Sequence, residues 1–354
     1  MITTVTDDAT LAHDPEGEVW VGVPIEGTES PGRVTVIREA LAGRPMIQPI
    51  PHPTSDLASV HDPELIAFLE TAWDRWSKSG YPSDPGQPKV VPYVFPAVTG
   101  VKGRRPQSIG AVAGLFAMDT MTLIGQGSWR AIKAAADCAL TAADRVDAEP
   151  IYALCRPPGH HAGPAFYGGS CYLNNAALAA QRLIDRGLGP VTVIDVDAHH
   201  GNGTQEIFYR RRDVRYASAH VDPDRGWFPH FVGFADETGE GEGLGANLNE
   251  PLEPGSGDGP WLDAIVRLCQ FAAGSGSLVI SLGVDAAAAD PESPLEVTSS
   301  GYARAGWMVG ETKRGTIRKL VEPKTRLRPG AIINASSRTS LVARAMISPV
   351  GRRS

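Results

Sequence analysis

The segment VTVIDVDAHHGNGTQ, Val191 to Gln205, is an apolar run that ends in two carboxylates and two imidazoles and then breaks at glycine. Burying an unpaired carboxylate costs several kcal/mol, so a core strand that finishes this way needs something to offset the charge. Side chains alternate along a strand, which puts Val191, Val193, Asp195, Asp197 and His199 on one side if the extended chain continues through the strand end. Asp and neutral His are both good zinc ligands, and Gly201 and Gly203 permit the sharp turn that opens a site. Taken alone, the same acids also suit a loop that caps the next helix.

A second apolar run, SLVISLGVD, Ser277 to Asp285, ends in a carboxylate too. Two strands with acids at one edge offer Asp197, His199 and Asp285 to a single cation and leave a position open for water or substrate, as a catalytic metal site requires. A turn role for Asp285 is the plainer alternative. In RPPGHHAGPAFYGGSCYLNN, Arg156 to Asn175, the adjacent His160 and His161 follow a proline-fixed turn and suit a general base and a general acid acting on water. Asp195 and Asn202 are available to orient them. Gly168 and Gly169 let backbone approach a ligand closely, and Phe166 or Tyr167 is expected to wall a narrow tunnel.

These motifs sit in an alternation of helix and strand. HDPELIAFLETAWDRWSKSGY, His61 to Tyr81, spaces Leu65, Phe68, Leu69, Ala72, Trp73 and Trp76 at three and four behind an Asp-Pro start, which predicts an amphipathic helix. Further helices are predicted over 35–42, 129–146, 174–186, 203–209 and 261–272, and strands over 151–155, 190–195, 214–220 and 277–284. Residues 1–30 read as a lead-in, and the Pro/Gly-rich stretch 82–105 as a long loop. Such an order predicts an α/β fold with a parallel sheet covered on both faces and ligands outside the carboxyl ends of the strands.

Composition narrows the function classes. A net charge of -7 and a pI near 5.7 argue against a general nucleic-acid surface, which usually carries a basic face. A small-molecule or peptide substrate is the expected partner, with no nucleic acid and no membrane; a homodimer is left open. Cys138, Cys155, Cys171 and Cys269 form no CxxC pair, so neither a disulfide framework nor a zinc knuckle is indicated and a reduced cytoplasm is the expected location. No run of about 18 apolar residues occurs and no signal peptide is expected at the acidic start.

RPPGHHAG, GGSCYLNN, DVDAHHGNGTQ and SLGVDAAAADP together resemble the signature segments of the histone deacetylase superfamily. HDPELIAFLETAWDRW, FPHFVGFADETGEGEG and NLNEPL are similar to its bacterial acetylpolyamine amidohydrolase branch, and the likeness runs over roughly residues 15 to 310. The resemblance implies a single open three-layer α/β domain, arginase/deacetylase-like, with a mostly parallel sheet of about eight strands. It implies removal of acetyl or related acyl groups from polyamine or lysine nitrogen at one zinc ion, though iron or cobalt suits the same ligands. Position by position it makes Asp197, His199 and Asp285 the metal ligands and His160 and His161 the acid/base pair. Asp195 stands behind His160 and Asn202 behind His161. It also implies a potassium site at Asp195, Asp197, His199, Ser218 and Ala219, and a rim acid for a distal ammonium at Asp119. Gly169 and Tyr167, read from the residues themselves, are the other expected substrate contacts. Arginase-like enzymes resemble a two-manganese pattern with aspartates two apart on the last metal strand; Gly283 stands where the first would be, which favours one metal.

The resemblance fails near residue 310. The family continues with a buried strand, a glutamate-glycine-glycine-tyrosine loop and a closing helix, and the tyrosine donates a hydrogen bond to the developing oxyanion. Here the chain reads ETKRGTIRKLVEPKTRLRPG and then a Ser/Arg-rich tail, and Tyr302 lies too early, on a predicted helix. Residues 311–354 hold eleven Lys or Arg against two Glu, a net of +9 that leaves -16 for the first 310. The expectation is a deacetylase-like domain over 1–310, an atypical basic tail over 311–354, and a last family strand missing or replaced. Turnover is then expected to be impaired, and the alternative is a zinc-containing binder of acylated amines.

Overall fold

The computed structural model describes residues 2–96, 104–147, 149–312 and the strand at 332–336. Strands β1 (Thr3–Val5), the antiparallel pair β2 (Glu18–Trp20) and β3 (Val23–Ile25), helix α1 (Gly32–Ala40) and strand β4 (Met46–Ile47) open the chain. Helices α2 (Pro63–Ser77), α3 (Ile109–Phe116) and α4 (Ser128–Arg145) follow. Then strand and helix alternate: β5 (Ile151–Ala153), α5 (Asn175–Asp185), β6 (Val191–Asp195), α6 (Asn202–Phe208), β7 (Val214–Val221), β8 (Asn247–Leu252), α7 (Asp258–Phe271), β9 (Ser277–Gly283), α8 (Ser299–Thr312) and β10 (Ile332–Ser336). The main sheet has eight strands in the order β4-β1-β5-β10-β9-β6-β7-β8, and each pairing in it is parallel.

The predicted helices and strands form within a few residues of their expected ends, for local reasons. Asp62 caps α2 by accepting from the Glu64 N–H, with Pro63 at the first helical position, where its missing donor costs nothing. Leu65, Phe68, Leu69, Ala72 and Trp76 then turn inward, each large side chain contributing about 1.5–3 kcal/mol by burial. On one face of the sheet α2, α3, α4 and α5 cover Val191, Val193 and Val279; on the other α7 and α8 cover Ile194, Ile280 and Leu282. Residues 193 and 194 thus face opposite layers, as strand alternation requires.

Several elements lie outside the predicted ones, among them β2, β3, β4 and α3. Thr3–Val5, read as lead-in, is a strand of the main sheet between β4 and β5. Asn247–Leu252 is the edge strand beside β7, although its sequence NLNEPL has no apolar alternation. Ile332–Ser336, inside the stretch expected to be a basic tail, lies in the sheet between β5 and β9 in parallel register with both, in keeping with a last strand that is replaced. Two adjacent β-branched residues, Ile332 and Ile333, suffice for a short fully flanked strand, and the surrounding basic composition hid them. Of the expected loop at 82–105, the described residues hold only an isolated bridge, Val90 to Ile124, and 97–103 lie outside them. Among the described residues no helix is long and apolar enough to cross a membrane. All four cysteines are buried and free.

Burial also sets an acid limit. His13, His61 and His220 each have both ring nitrogens in hydrogen bonds. Burial pushes them down, to about 3 for His13 and about 4 for the other two. The folded protein keeps them neutral while the unfolded chain takes up protons below about pH 6.5, so stability is complete above that pH and falls as pH drops toward 4. Each contributes up to about 3 kcal/mol. The urea midpoint is therefore expected to fall steeply between pH 6.5 and 4; a flat profile there would contradict the neutral assignment.

Candidate metal centre

Parallel register assembles the centre. Asp195 of β6 pairs with Ser281 of β9, so the chains leaving both strands deliver carboxylates to the same edge of the sheet. Val196 and Ala198 pack with Ile194 on one face, which leaves Asp195, Asp197 and His199 on the other, as the alternation predicted. Asp197, His199 and Asp285 each offer a ligand atom, and these atoms lie within 4.8 Å of one another. His199 Nδ1 is 2.8 Å from Asp285 Oδ2 and 3.2 Å from Asp197 Oδ1. Backbone fixes both carboxylates: the Ala198 N–H donates to Asp285 Oδ1 at 2.9 Å and the His199 N–H to Asp197 Oδ1 at 2.9 Å.

The cluster calls for positive charge. Burial and the neighbouring Asp197 push the Asp285 carboxyl up to about 7. Burial opposes a charge on His199, yet its hydrogen bonds to Asp197 and Asp285 pull it up to about 10. In effect the imidazole borrows a proton to do what a cation does between two buried carboxylates. Two carboxylate oxygens and one imidazole nitrogen make a borderline donor set that fits a divalent ion such as zinc, with a fourth position left over.

Above this cluster lies the histidine pair, with rings 4.0 Å apart and both side chains buried. His160 Nδ1 meets Asp195 Oδ2 at 3.0 Å, and His161 Nδ1 meets Asn202 Oδ1 at 2.7 Å. His160 Nε2 is left 3.9 Å from Asp197 Oδ1. The two environments push the rings apart. For His160, burial is outweighed by the charges of Asp197 and Asp195, which raise it to about 9; for His161, burial and then the neighbouring positive charges of His160 and His199 hold it well below the usual value. Tyr216 of β7 supports Asp195 from behind: its hydroxyl accepts from the Gly201 N–H at 3.0 Å and donates to Asp195 Oδ2 at 3.3 Å.

Two glycines are obligatory here. An ideal Cβ on Gly169, at φ +55°, would lie 2.3 Å from the His161 ring, so the turn packs directly on the imidazole. One on Gly283 would lie 2.1 Å from Asp197 Oδ2. A side chain at 283 would thus meet the Asp197 carboxylate as it stands, and the chain has glycine where the two-manganese pattern has its first aspartate. Gly283→Ala is expected to displace Asp197, costing about 1–3 kcal/mol by overpacking and weakening zinc binding at least tenfold by calorimetric titration. Unchanged zinc affinity would contradict this geometry.

The remaining expected contact residues are placed less simply. Tyr167 is fully buried, with its ring stacked on Phe68 and on Tyr172, each at 5.9 Å. Two further aromatic rings lie against the histidines. Trp227 stacks on His199 at 4.9 Å and 21°, and Phe228 meets His161 edge to face at 4.9 Å. Both lie in a loop without periodicity, and only their position in WFPH offered a signal. Asp119 engages both carboxylate oxygens: Oδ1 accepts from the Thr122 N–H, and Oδ2 from the Gly169 N–H and the Thr122 hydroxyl. It anchors the Gly169 turn from behind. Tyr302 is on α8, buried against Trp261 in the core. Asp195 and Ser218 are register partners on β6 and β7, and Ala219 follows.

The sequence and fold have known counterparts. The histone deacetylase domain model matches residues 27–322. Acetylpolyamine amidohydrolase 1 of Pseudomonas aeruginosa is 41% identical over 319 residues, covering 86% of this chain and 89% of that protein. The acetylpolyamine amidohydrolase of Mycoplana ramosa is 40% identical over 298 residues, covering 82% and 85%. Among solved structures, an acetylpolyamine aminohydrolase from Burkholderia pseudomallei superposes with a TM-score of 0.85 at 34% identity, covering 98% of this chain and 97% of the other.

Proposed function

The chain belongs to the histone deacetylase family, and on that premise we propose that it hydrolyses the amide of a linear acylated amine, an acetylpolyamine or an acyl-lysine. Asp197, His199 and Asp285 would hold one zinc ion. Such an ion supplies Lewis acidity to the scissile carbonyl and lowers the pKa of the attacking water. The observation that carries this reading is the convergence of those three side chains beneath the histidine pair.

The chain's own residues divide the remaining work. His160 and His161 each spend Nδ1 on a fixed acceptor, which sets the tautomer and leaves both Nε2 atoms for the reaction. One ring takes the proton released by the attacking water and the other returns a proton to the leaving amine. Environments that push two titratable groups apart suit such a division. Trp227 and Phe228 hold the acyl-bearing chain and exclude water, while the Gly169 backbone lies against it. Asp119, behind that turn, contributes negative potential toward a distal ammonium. A potassium ion at Asp195, Asp197, His199, Ser218 and Ala219 belongs to the same proposal, as a structural charge.

Turnover is proposed to be slow, because the sequence lacks the Gly-Gly-Tyr loop that would donate to the oxyanion; losing one such donor costs about 10²–10³ in rate. In the limit the protein is a zinc-containing binder of acylated amines. Metal analysis joined to assays on a panel of acetylated polyamines and acyl-lysines separates these readings. Zinc with slow product release into solution supports the hydrolase, zinc with affinity and no product supports the binder, and no zinc after metal-replete purification rejects both.

A further inference from the structure

His61, just ahead of α2, is buried and far in sequence from the histidine pair. Its Nδ1 donates to the Gly163 carbonyl at 2.9 Å and its Nε2 accepts from the Asn174 N–H at 2.8 Å. The next residue repeats the grip, the Asp62 N–H donating to the Pro164 carbonyl at 2.7 Å. Asn174 then reaches back: its Nδ2 donates to the Ala162 carbonyl and to Thr204 Oγ1, both at 3.0 Å, while its Oδ1 caps α5 through the Ala177 N–H. The Thr204 N–H holds the His160 carbonyl at 3.0 Å. The imidazole therefore ties its own segment to Gly163 and to Asn174, and the carbonyls of His160, Ala162, Gly163 and Pro164 are all held.

We propose that His61, donating to Gly163 and accepting from Asn174, is a positioning residue that fixes the loop carrying His160 and His161. It touches no reacting atom. Its effect runs through loop geometry, because a displacement of about 1 Å in a catalytic group costs on the order of 10² in rate. A ring with only one of its nitrogens engaged would leave either a carbonyl or an N–H buried without a partner. The proposal rests on the amide hydrolase reading for its rate effect and stands apart from that reading for its structural effect.

The two contacts can be tested one at a time. His61→Phe keeps the bulk and removes both; His61→Asn retains a donor near Nδ1, and His61→Gln an acceptor near Nε2. Expected for His61→Phe is a 10–100-fold fall in kcat with KM and zinc content unchanged, partly restored in the Asn or the Gln variant. Ring NMR signals of His160 and His161 are expected to shift in His61→Phe while the far-ultraviolet dichroism stays as in the parent. Parent-like kcat with unmoved ring signals would overturn the positioning role, as would a kcat loss that follows zinc content alone. Should the parent turn over no acylated amine, the hydrolase reading fails, and the ring signals still decide the proposal: shifted signals support it and unmoved ones overturn it.

Discussion

Asp285→Asn is expected to abolish zinc binding and lower amide hydrolysis at least about 10³-fold, beyond the 10–100-fold that loss of an outer supporting group costs a metal site. The substitution is nearly isosteric and keeps an acceptor for the Ala198 N–H, so the fold has little reason to fail. It also removes a carboxylate that is strained by burial and by Asp197, as its raised pKa shows. Without metal the variant is thus expected to melt at or above the temperature of the parent. Zinc then separates them. At a free concentration near 1,000 times Kd, zinc stabilises the parent by about 4 kcal/mol, and it is expected to leave the variant unmoved. A variant that still gains stability with zinc would place the ion elsewhere.

The opposite change is expected from restoring an oxyanion donor. Strand β10 pairs Ser336 with Gly283, two residues before Asp285, so the chain leaves the sheet at the edge that carries the cluster. Ser337→Glu, Arg338→Gly, Thr339→Gly and Ser340→Tyr together supply the family's loop directly after that strand. Turnover of an acetylated polyamine is expected to rise about 10²–10³-fold, the worth of one well-placed donor to a developing oxyanion. The gain should appear in kcat, because the bond strengthens only in the transition state. A companion variant with the same three preceding changes but Ser340→Phe in place of Ser340→Tyr lacks only the hydroxyl, and its kcat should stay at the starting value. A gain that persists in the companion would trace to loop packing instead.

Much of the site was legible because it rests on period-two alternation and on acids at strand ends. Val191 to His199 announces both its strand and its chemistry, and Asp285 repeats the signal on a neighbouring strand. What stayed hidden rests on contacts between distant segments. Asn247 and Asn249 make an edge strand whose inward side chains are amides, both donating to Gln205 Oε1, so no apolar pattern marks it. Tyr167 beside two glycines reads as a pocket wall, and its stacking on Phe68 and Tyr172 was not legible from its neighbours in sequence. Trp227 and Phe228 act through the loop that carries them to His199 and His161, a path that local sequence does not encode. The bond from the Gly169 N–H to Asp119, fifty residues apart, is likewise beyond what local sequence encodes. Ile332–Ser336 was masked by charge around it, since composition averages over a tail and a five-residue strand needs only its own residues.

The most direct measurement is an anomalous difference map recorded on either side of the zinc absorption edge, from crystals of the zinc-replete protein. One peak is expected, bounded by Asp197, His199 and Asp285 and lying below the His160 and His161 rings. No peak among those three side chains, or two peaks there, would contradict a single-metal centre and the chemistry built on it.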